Sequence, residues 1–392
     1  MIMNTMPSEV MVNPDEKTVI MTPPLSREFP DAPKAFRRVD EVFAENPQDH
    51  LKMLEESVFS FTPKSGSQAE VTCSLIHGQE VGDELLVVYA PFADGAPNSR
   101  SEEIWRYMQA DQAVVQITKG HAAPNSWNQI SKSWVMSELL QAVDQDMPVL
   151  TIFSPIPTHA YSRGDRKRFR HGDFTPAADI TAQAIQLAQE RLHGAHSETQ
   201  IDTLHLHGAS LGASNAIGAA AGLLEAFAVR SLTAQELIIG PTSYFPDLAT
   251  KFTIKNTVGE PSSEVITQMI DYARIGEPAI RRMIDRDGTE LATAGRAIIS
   301  MLKYSYLKGL TDPEHNQTPR DVARVAEAGA HLAIVLAANS GLTQETNEYL
   351  PPAGRESVVH VRAENGHRVA HLIDEHVAPT ALLAVMNIAR SR

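Results

Sequence analysis

Short runs of apolar or alternating residues recur along the chain, separated by stretches with helical spacing. The runs are LLVVYA (85–90), AVVQIT (113–118), MPVLTIF (147–153), DTLHLHG (202–208), QELIIG (235–240), HLAIVLAA (331–338) and SVVHV (357–361). Each is short, rich in β-branched residues or alternating in polarity, and bounded by turn-forming residues, which predicts strands. The stretches between most of them predict helices. FTPAADITAQAIQLAQERLHG carries the signals well, with Thr175 as N-cap, Pro176 at the first position, Ile180, Ala184, Leu187 and Ala188 on one stripe, and Gly194 after the end. Strands alternating with helices mean βαβ units, so the expected class is α/β: a mainly parallel central sheet flanked by helices.

The alternation fails in two places. Residues 1–68 are rich in Pro, charge and Met without a sustained period, apart from a short helical pattern around DHLKMLEESVF, and read as an N-terminal arm ahead of one domain over 69–392. Between about 247 and 325, helical segments such as PSSEVITQMIDYARIG and ELATAGRAIISMLKYSYLKGL follow one another without a convincing strand, which predicts an inserted helical cap. An internal repeat is not evident.

Composition narrows the function classes. A chain of 392 residues, 43% of them hydrophobic, buries a large core. Its net charge of −14 argues against a general nucleic-acid-binding surface. The single cysteine, Cys73, forms no internal disulfide. The N-terminus lacks the basic start and apolar run of a signal peptide, and no apolar run reaches the roughly 18 residues of a membrane span. A cytoplasmic protein without a membrane span is expected.

The chemistry concentrates in DTLHLHGASLGASNAIGAAAGL, residues 202–223. Gly208-Ala209-Ser210-Leu211-Gly212 matches G-x-S-x-G, and it follows an apolar strand and precedes a helix, the context that a nucleophile elbow requires. The glycines flank a serine held in a tight strand-to-helix turn, where β-carbons have no room. The same turn aims the first amides of the following helix at the place where a negative oxygen would develop. The plainer alternative is packing, since small residues let a helix approach a sheet closely.

A base follows where that hypothesis needs one. After SVVHV comes RAENGHRVAHLI, with His367 in a Gly-containing loop before a helix, a suitable place for an imidazole serving Ser210. His371, one helical turn later, reads as a packing or surface residue. His205 and His207 alternate with Leu204 and Leu206 and point to one face of a central strand; they read as hydrogen-bonded core histidines, and no metal is assigned. SRGDRKRFRHGDF places Arg163, Arg166, Lys167, Arg168 and Arg170 in a loop after MPVLTIF, either a solvated surface or a hold on an anionic group. GHAAPNSW brings Asn125, Ser126 and Trp127 to the expected sheet edge, as pocket lining or as plain loop.

These residues together resemble the α/β-hydrolase superfamily in its serine esterase and lipase-like branch, over about residues 69–392. The resemblance rests on GASLG as the elbow, a cap after the following strand, and NGH in the terminal loop. It implies Ser210 as nucleophile, His367 as base and the amide of Leu211 as one oxyanion donor. The second donor would come from YAPFADGAP, where the best match is the amide of Phe92, although that loop departs from the His-Gly start usual in the family. The family also places an Asp or Glu just beyond the strand that precedes the last one, and here IVLAANSGLTQE puts Asn339 and Ser340 there.

Three readings follow: a Ser-His dyad oriented by Asn339, an acid supplied by Asp247 or Glu345 from another loop, or a hydrolase fold that has lost its chemistry. The expected activity is hydrolysis of an ester or related acyl bond in a small-molecule substrate, through an acyl-enzyme and without a cofactor. The rival is a catalytically weak or inactive binding or structural protein of the same fold, with the N-terminal arm available to reach a second subunit.

Overall fold

The computed structural model describes residues 9–13, 18–22, 56–64, 70–77, 82–89, 147–153, 161–193, 200–209, 211–235, 315–337 and 358–363, with single positions between 133 and 141, at 237 and 239, and between 384 and 391. Ten strands among them form one sheet: β1 (Glu9–Asn13), β2 (Thr18–Thr22), β3 (Val58–Phe61), β4 (Val71–Ile76), β5 (Glu84–Tyr89), β6 (Val149–Ile152), β7 (Thr203–Ala209), β8 (Ala228–Gln235), β9 (His331–Ala337) and β10 (Val358–Ala363). Their spatial order is β1-β2-β10-β9-β8-β7-β5-β6-β4-β3. Every pairing from β2 across to β6 is parallel. The antiparallel pairings lie toward the edges, β1 on β2, β4 on β6 and β3 on β4. The sheet is thus mixed and mostly parallel, as the alternating pattern predicted.

Four helices are described, α1 (Arg163–Arg170), α2 (Ala177–His193), α3 (Leu211–Leu223) and α4 (Thr318–Glu327). α3 lies against β5, β7 and β8, and α2 and α4 both pack on it. The strand residues facing this layer are apolar, among them Leu85, Val87, Leu204, Leu206, Leu232 and Ala234. Burial of each such large side chain contributes about 1.5–3 kcal/mol. The other face is more polar. His205 bonds Ser231 there at 2.8 Å, Thr151 meets the Ser133 hydroxyl at 2.5 Å, and Asn387 donates to Thr233 Oγ1 and to the carbonyls of Leu232 and His331.

Several elements depart from the sequence reading. Three strands, β1, β2 and β3, come from residues 1–68, the stretch expected to be an arm. They are runs of four or five residues in a Pro- and charge-rich background, too short to impose a period. Of the short helix expected around DHLKMLEESVF, Glu56 and Ser57 are helical and Val58 already begins β3. Arg191 of α2 stacks its guanidinium 4.5 Å from the Phe59 ring centre, tying that edge strand to the helical layer.

The strand expected at 235–240 instead occupies Ala228–Gln235. Its register with β7 shifts between Leu204 and His205, so that Leu204 meets Val229 while His205 meets Ser231, and Arg230 is the extra residue. That bulge breaks the alternation, and Ser231, Thr233 and Gln235 are buried although polar.

The basic stretch expected as a loop is helix α1. Ser162 and Asp165 form a reciprocal capping box, and Phe169 is fully buried. Gly164 in the first turn disguised that start. The cap expected over 247–325 ends differently, because Thr318–Glu327 is α4, part of the layer packed on α3. Residues 247–314 of that span lie outside the described residues. Among the described residues no helix is long and apolar enough to cross a membrane.

Candidate active site

β7 is buried along its whole length and ends at Ala209, and α3 begins at Leu211, so a single residue separates strand from helix. The reversal is tight. A β-carbon placed on Gly208 would stand 2.2 Å from the carbonyl oxygen of Gly212, 2.5 Å from its carbonyl carbon and 2.9 Å from the nitrogen of Ala213. The first turn of the helix therefore folds back onto the end of the strand, and only glycine fits at 208.

The small residues of α3 have the same cause. A β-carbon on Gly218 would lie 2.3–2.6 Å from the backbone and β-carbon of Phe174, and one on Gly222 would lie 2.5 Å from the β-carbon of Ala178. The helix passes under the start of α2 with no room for side chains at those points. Its N-terminus, with the partial positive charge of unpaired amides, faces the turn.

The turn occupies a particular place in the sheet. The chain runs from β5 to its neighbour β6, returns to β7 on the other side of β5, and then continues outward through β8, β9 and β10. The carboxyl ends of β5 and β7 therefore flank the point where the winding direction reverses, the usual crevice for ligands in open α/β sheets. Gly208 pairs with Tyr89, the last residue of β5, so the loop after β5 leaves the sheet beside the turn.

Tyr89 is pinned there. Its hydroxyl bonds Thr181 of α2, which donates to the Ala177 carbonyl at 2.7 Å. Burial pushes the phenol pKa well upward and does the same to the Cys73 thiol, so neither supplies an anionic nucleophile at neutral pH.

Ser210, His367, Phe92, Asn339, Ser340, Asp247, Glu345 and His371 lie outside the described residues, as do Asn125, Ser126 and Trp127; the helical backbone of Leu211 is described. The register limits how far the loops must reach. Ala209 is level with Gln235, Gln235 with Val335, and Val335 with Val361. β10 is three strands from β7, about 14 Å at the usual strand spacing. His367 stands six residues past Val361, and six residues extend up to about 20 Å. Asn339 and Ser340 follow the end of β9, which points to the same sheet edge as β7 and β10.

The strand histidines have structural partners. His205 is fully buried, with Nδ1 at 2.8 Å from Ser231 Oγ and Nε2 at 3.7 Å from the carboxylate of Glu84. Glu84 escaped the sequence reading; its only signal was an acidic residue at the start of an apolar run. Among the described residues no three His, Cys, Asp or Glu side chains converge as metal ligands.

A second polar cluster joins the α1–α2 turn to α4. Gln317 donates its backbone N–H to the Gly172 carbonyl, and Arg168 pairs with Asp173 at 2.7 Å. Burial acts to raise the Asp173 carboxyl, but hydrogen bonds from Thr175 and Arg168 outweigh it and hold the group below the usual carboxylate range. Asp321, on α4, is pushed up to about 6 by burial and by the charge of Asp173, against the opposing pull of Arg324 at 3.5 Å.

No protein-family model matches the chain, and no curated protein matches it in sequence. Among solved structures it is similar to a bacterial membrane phospholipase A described as a virulence factor, with 13% identity, 93% of this chain and 97% of that one covered, and a TM-score of 0.44. It is also similar to a thermostable carboxyl esterase from Bacillus coagulans, with 11% identity, 85% and 97% covered, and a TM-score of 0.44. A thioesterase domain from the curacin biosynthetic pathway matches at 12% identity, with 84% and 99% covered and a TM-score of 0.38. The strand order, with its reversal beside β7, and the strand-to-helix turn between Gly208 and Gly212 give this chain the α/β-hydrolase fold.

Proposed function

We propose that the protein is a serine hydrolase that cleaves an ester or related acyl bond. The observation that supports this reading is the approach of Gly208 to Gly212, because a turn closed that tightly leaves one residue, Ser210, between strand and helix, where a nucleophile would be wanted. Packing alone explains the glycines at 218 and 222, which meet Phe174 and Ala178; it does not explain the approach of Gly208 to Gly212.

In this mechanism Ser210 Oγ attacks the acyl carbonyl while His367 takes its proton. The carbonyl oxygen becomes an oxyanion and receives the amide of Leu211 at the helix N-terminus, with the amide of Phe92 as second donor from the loop beside the turn. Collapse of the intermediate breaks the bond to the leaving group, which takes a proton from His367. Water, deprotonated by the same imidazole, then releases the acyl group from Ser210. Asn339 orients the imidazole in a dyad, or Asp247 or Glu345 does so in a triad. A small acyl compound is the substrate, and the cap that the sequence suggests after β8 would shape its pocket.

The test is incubation of the full chain with a fluorophosphonate probe, followed by peptide mass mapping. Labelling at Ser210 is the expected result. A second reading, a weak or inactive binding protein, is favoured by Asn339 and Ser340 standing where an acid is usual. No labelling of Ser210 together with no measurable esterase turnover would establish that reading instead.

A further inference from the structure

We propose that α1 is a docking surface for anionic lipid headgroups, through which the protein adsorbs to a negatively charged bilayer surface. The eight residues of Arg163–Arg170 include five basic side chains and one acidic one, a net +4 in a chain of −14, so the rest of the molecule carries −18. A solvated helix in so acidic a protein has no need of such a concentration.

The helix sorts these charges by direction. At 100° per residue, Arg163, Arg166, Lys167 and Arg170 fall within an arc of about 100°. The other two charges of the helix point away from this arc. Asp165, roughly opposite the arc, is held by Ser162 in the capping box, with its carboxylate 2.6 Å from the Ser162 hydroxyl. Arg168, outside the arc, binds Asp173 at 2.7 Å and Thr175. The arc is therefore uninterrupted by an acid of its own helix, and Arg163, Lys167 and Arg170 are exposed.

The helix is also rigidly seated. Phe169 is fully buried, in edge contacts with Tyr161 at 4.6 Å and Phe174 at 5.5 Å between ring centres. Phe174 in turn lies against Gly218 of α3. The basic arc is thus displayed by a helix fixed at both its capped start and its aromatic anchor, with little ordering left for binding to impose.

Charge and chemistry select the partner. Single-stranded nucleic acid is held by exposed aromatic rings between basic groups, and the three aromatic side chains at this helix are buried. A nucleic acid also carries a fixed charge along its length, which would extend past this patch over a body of −18. A mixed bilayer differs, because its anionic lipids gather under the basic arc while neutral headgroups face the acidic remainder. With no exposed apolar anchor on the arc, the contact is at headgroup level. This inference is independent of the role of Ser210.

The test is co-sedimentation of the full chain with vesicles of phosphatidylcholine alone and of phosphatidylcholine mixed with phosphatidylserine. Binding is expected to the mixed vesicles only, and to fall as salt shortens the screening length from about 10 Å at 0.1 M to about 3 Å at 1 M. The R163Q/K167Q/R170Q variant should bind on the order of a hundredfold more weakly, and K167Q alone about fivefold, while a thermal melt by circular dichroism confirms folding. K167Q, a single exposed change, keeps the test valid if the triple variant does not fold. Equal binding to both vesicle types, or undiminished binding by K167Q and the folded triple variant, would overturn the proposal. So would tighter binding of a nucleic-acid homopolymer than of the mixed vesicles through these residues.

Discussion

Gly208 and Gly212 meet across the strand-to-helix turn so closely that a β-carbon on the first would sit 2.2 Å from the carbonyl oxygen of the second. The obstruction is backbone, which has no rotamer to give. Gly208→Ala is expected to lower stability by about 1–3 kcal/mol or more and to displace Ser210 from its attacking position. Urea unfolding and turnover of a p-nitrophenyl ester measure the two effects. Wild-type values for both would show that the turn is not closed in this way.

Ser210→Ala should abolish ester turnover while the chain stays folded. His367→Gln should cost about as much, because nucleophile and base act as one unit and their losses do not add. His371→Gln should change kcat little. Small and equal effects at both histidines would place the base elsewhere.

The orienting group is separable by the same assay. If Asn339 orients a dyad, Asp247→Asn and Glu345→Gln each change kcat by less than about tenfold, whereas loss of a working triad acid costs about 10³–10⁴. Asn339→Asp is expected to raise activity by stabilising the imidazolium of His367. A thousandfold drop in either removal variant identifies that residue as the acid.

Gly222 and Ala178 share one contact between α3 and α2, where an added β-carbon would lie 2.5 Å from the existing one. Gly222→Ala should destabilise by about 1–3 kcal/mol. Ala178→Gly clears the space, so the double variant is expected to be more stable than the sum of the single changes allows. Strict additivity in urea titrations would mean that the helices do not meet there.

Asp321 makes stability depend on pH. Its carboxyl titrates at about 6 in the folded chain, above the roughly 3.9 of an unfolded aspartate. The folded state holds the proton longer, so this contribution is fully present below about pH 4 and is lost as pH rises through about 6. Asp321→Asn keeps the site neutral. Its Tm should exceed that of the wild type near pH 8 and converge with it near pH 4. A difference that does not vary with pH would refute the assignment.

The alternating runs at β5, β6, β7, β9 and β10 were legible because each is a continuous apolar or period-two segment, and such a segment has few alternatives to a buried strand. The stripe on α2 was legible for the same reason, and Ile180, Ala184 and Ala188 are buried as the spacing predicts. β8 was misplaced because the bulge at Arg230 interrupts its period and its polar side chains face partners on β7 and the C-terminal segment. The sequence of α1 resembles a loop because its charges outweigh its one buried side chain, Phe169.

The amino-acid sequence by itself determined the fold class, the central strand and the tight passage from β7 to α3, since period, glycine spacing and strand-to-helix order are local properties written into consecutive residues. Tertiary structure alone decided that β1, β2 and β3 join the sheet, that β7 lies at the winding reversal, and that Gly208 has no room for a β-carbon. It also decided that Glu84, His205 and Ser231 meet across three strands, and that α4 brings Asp321 near Asp173. These are pairings between segments far apart in the chain. No local pattern encodes them, because their free energy arises only when desolvated groups from separate elements come into contact.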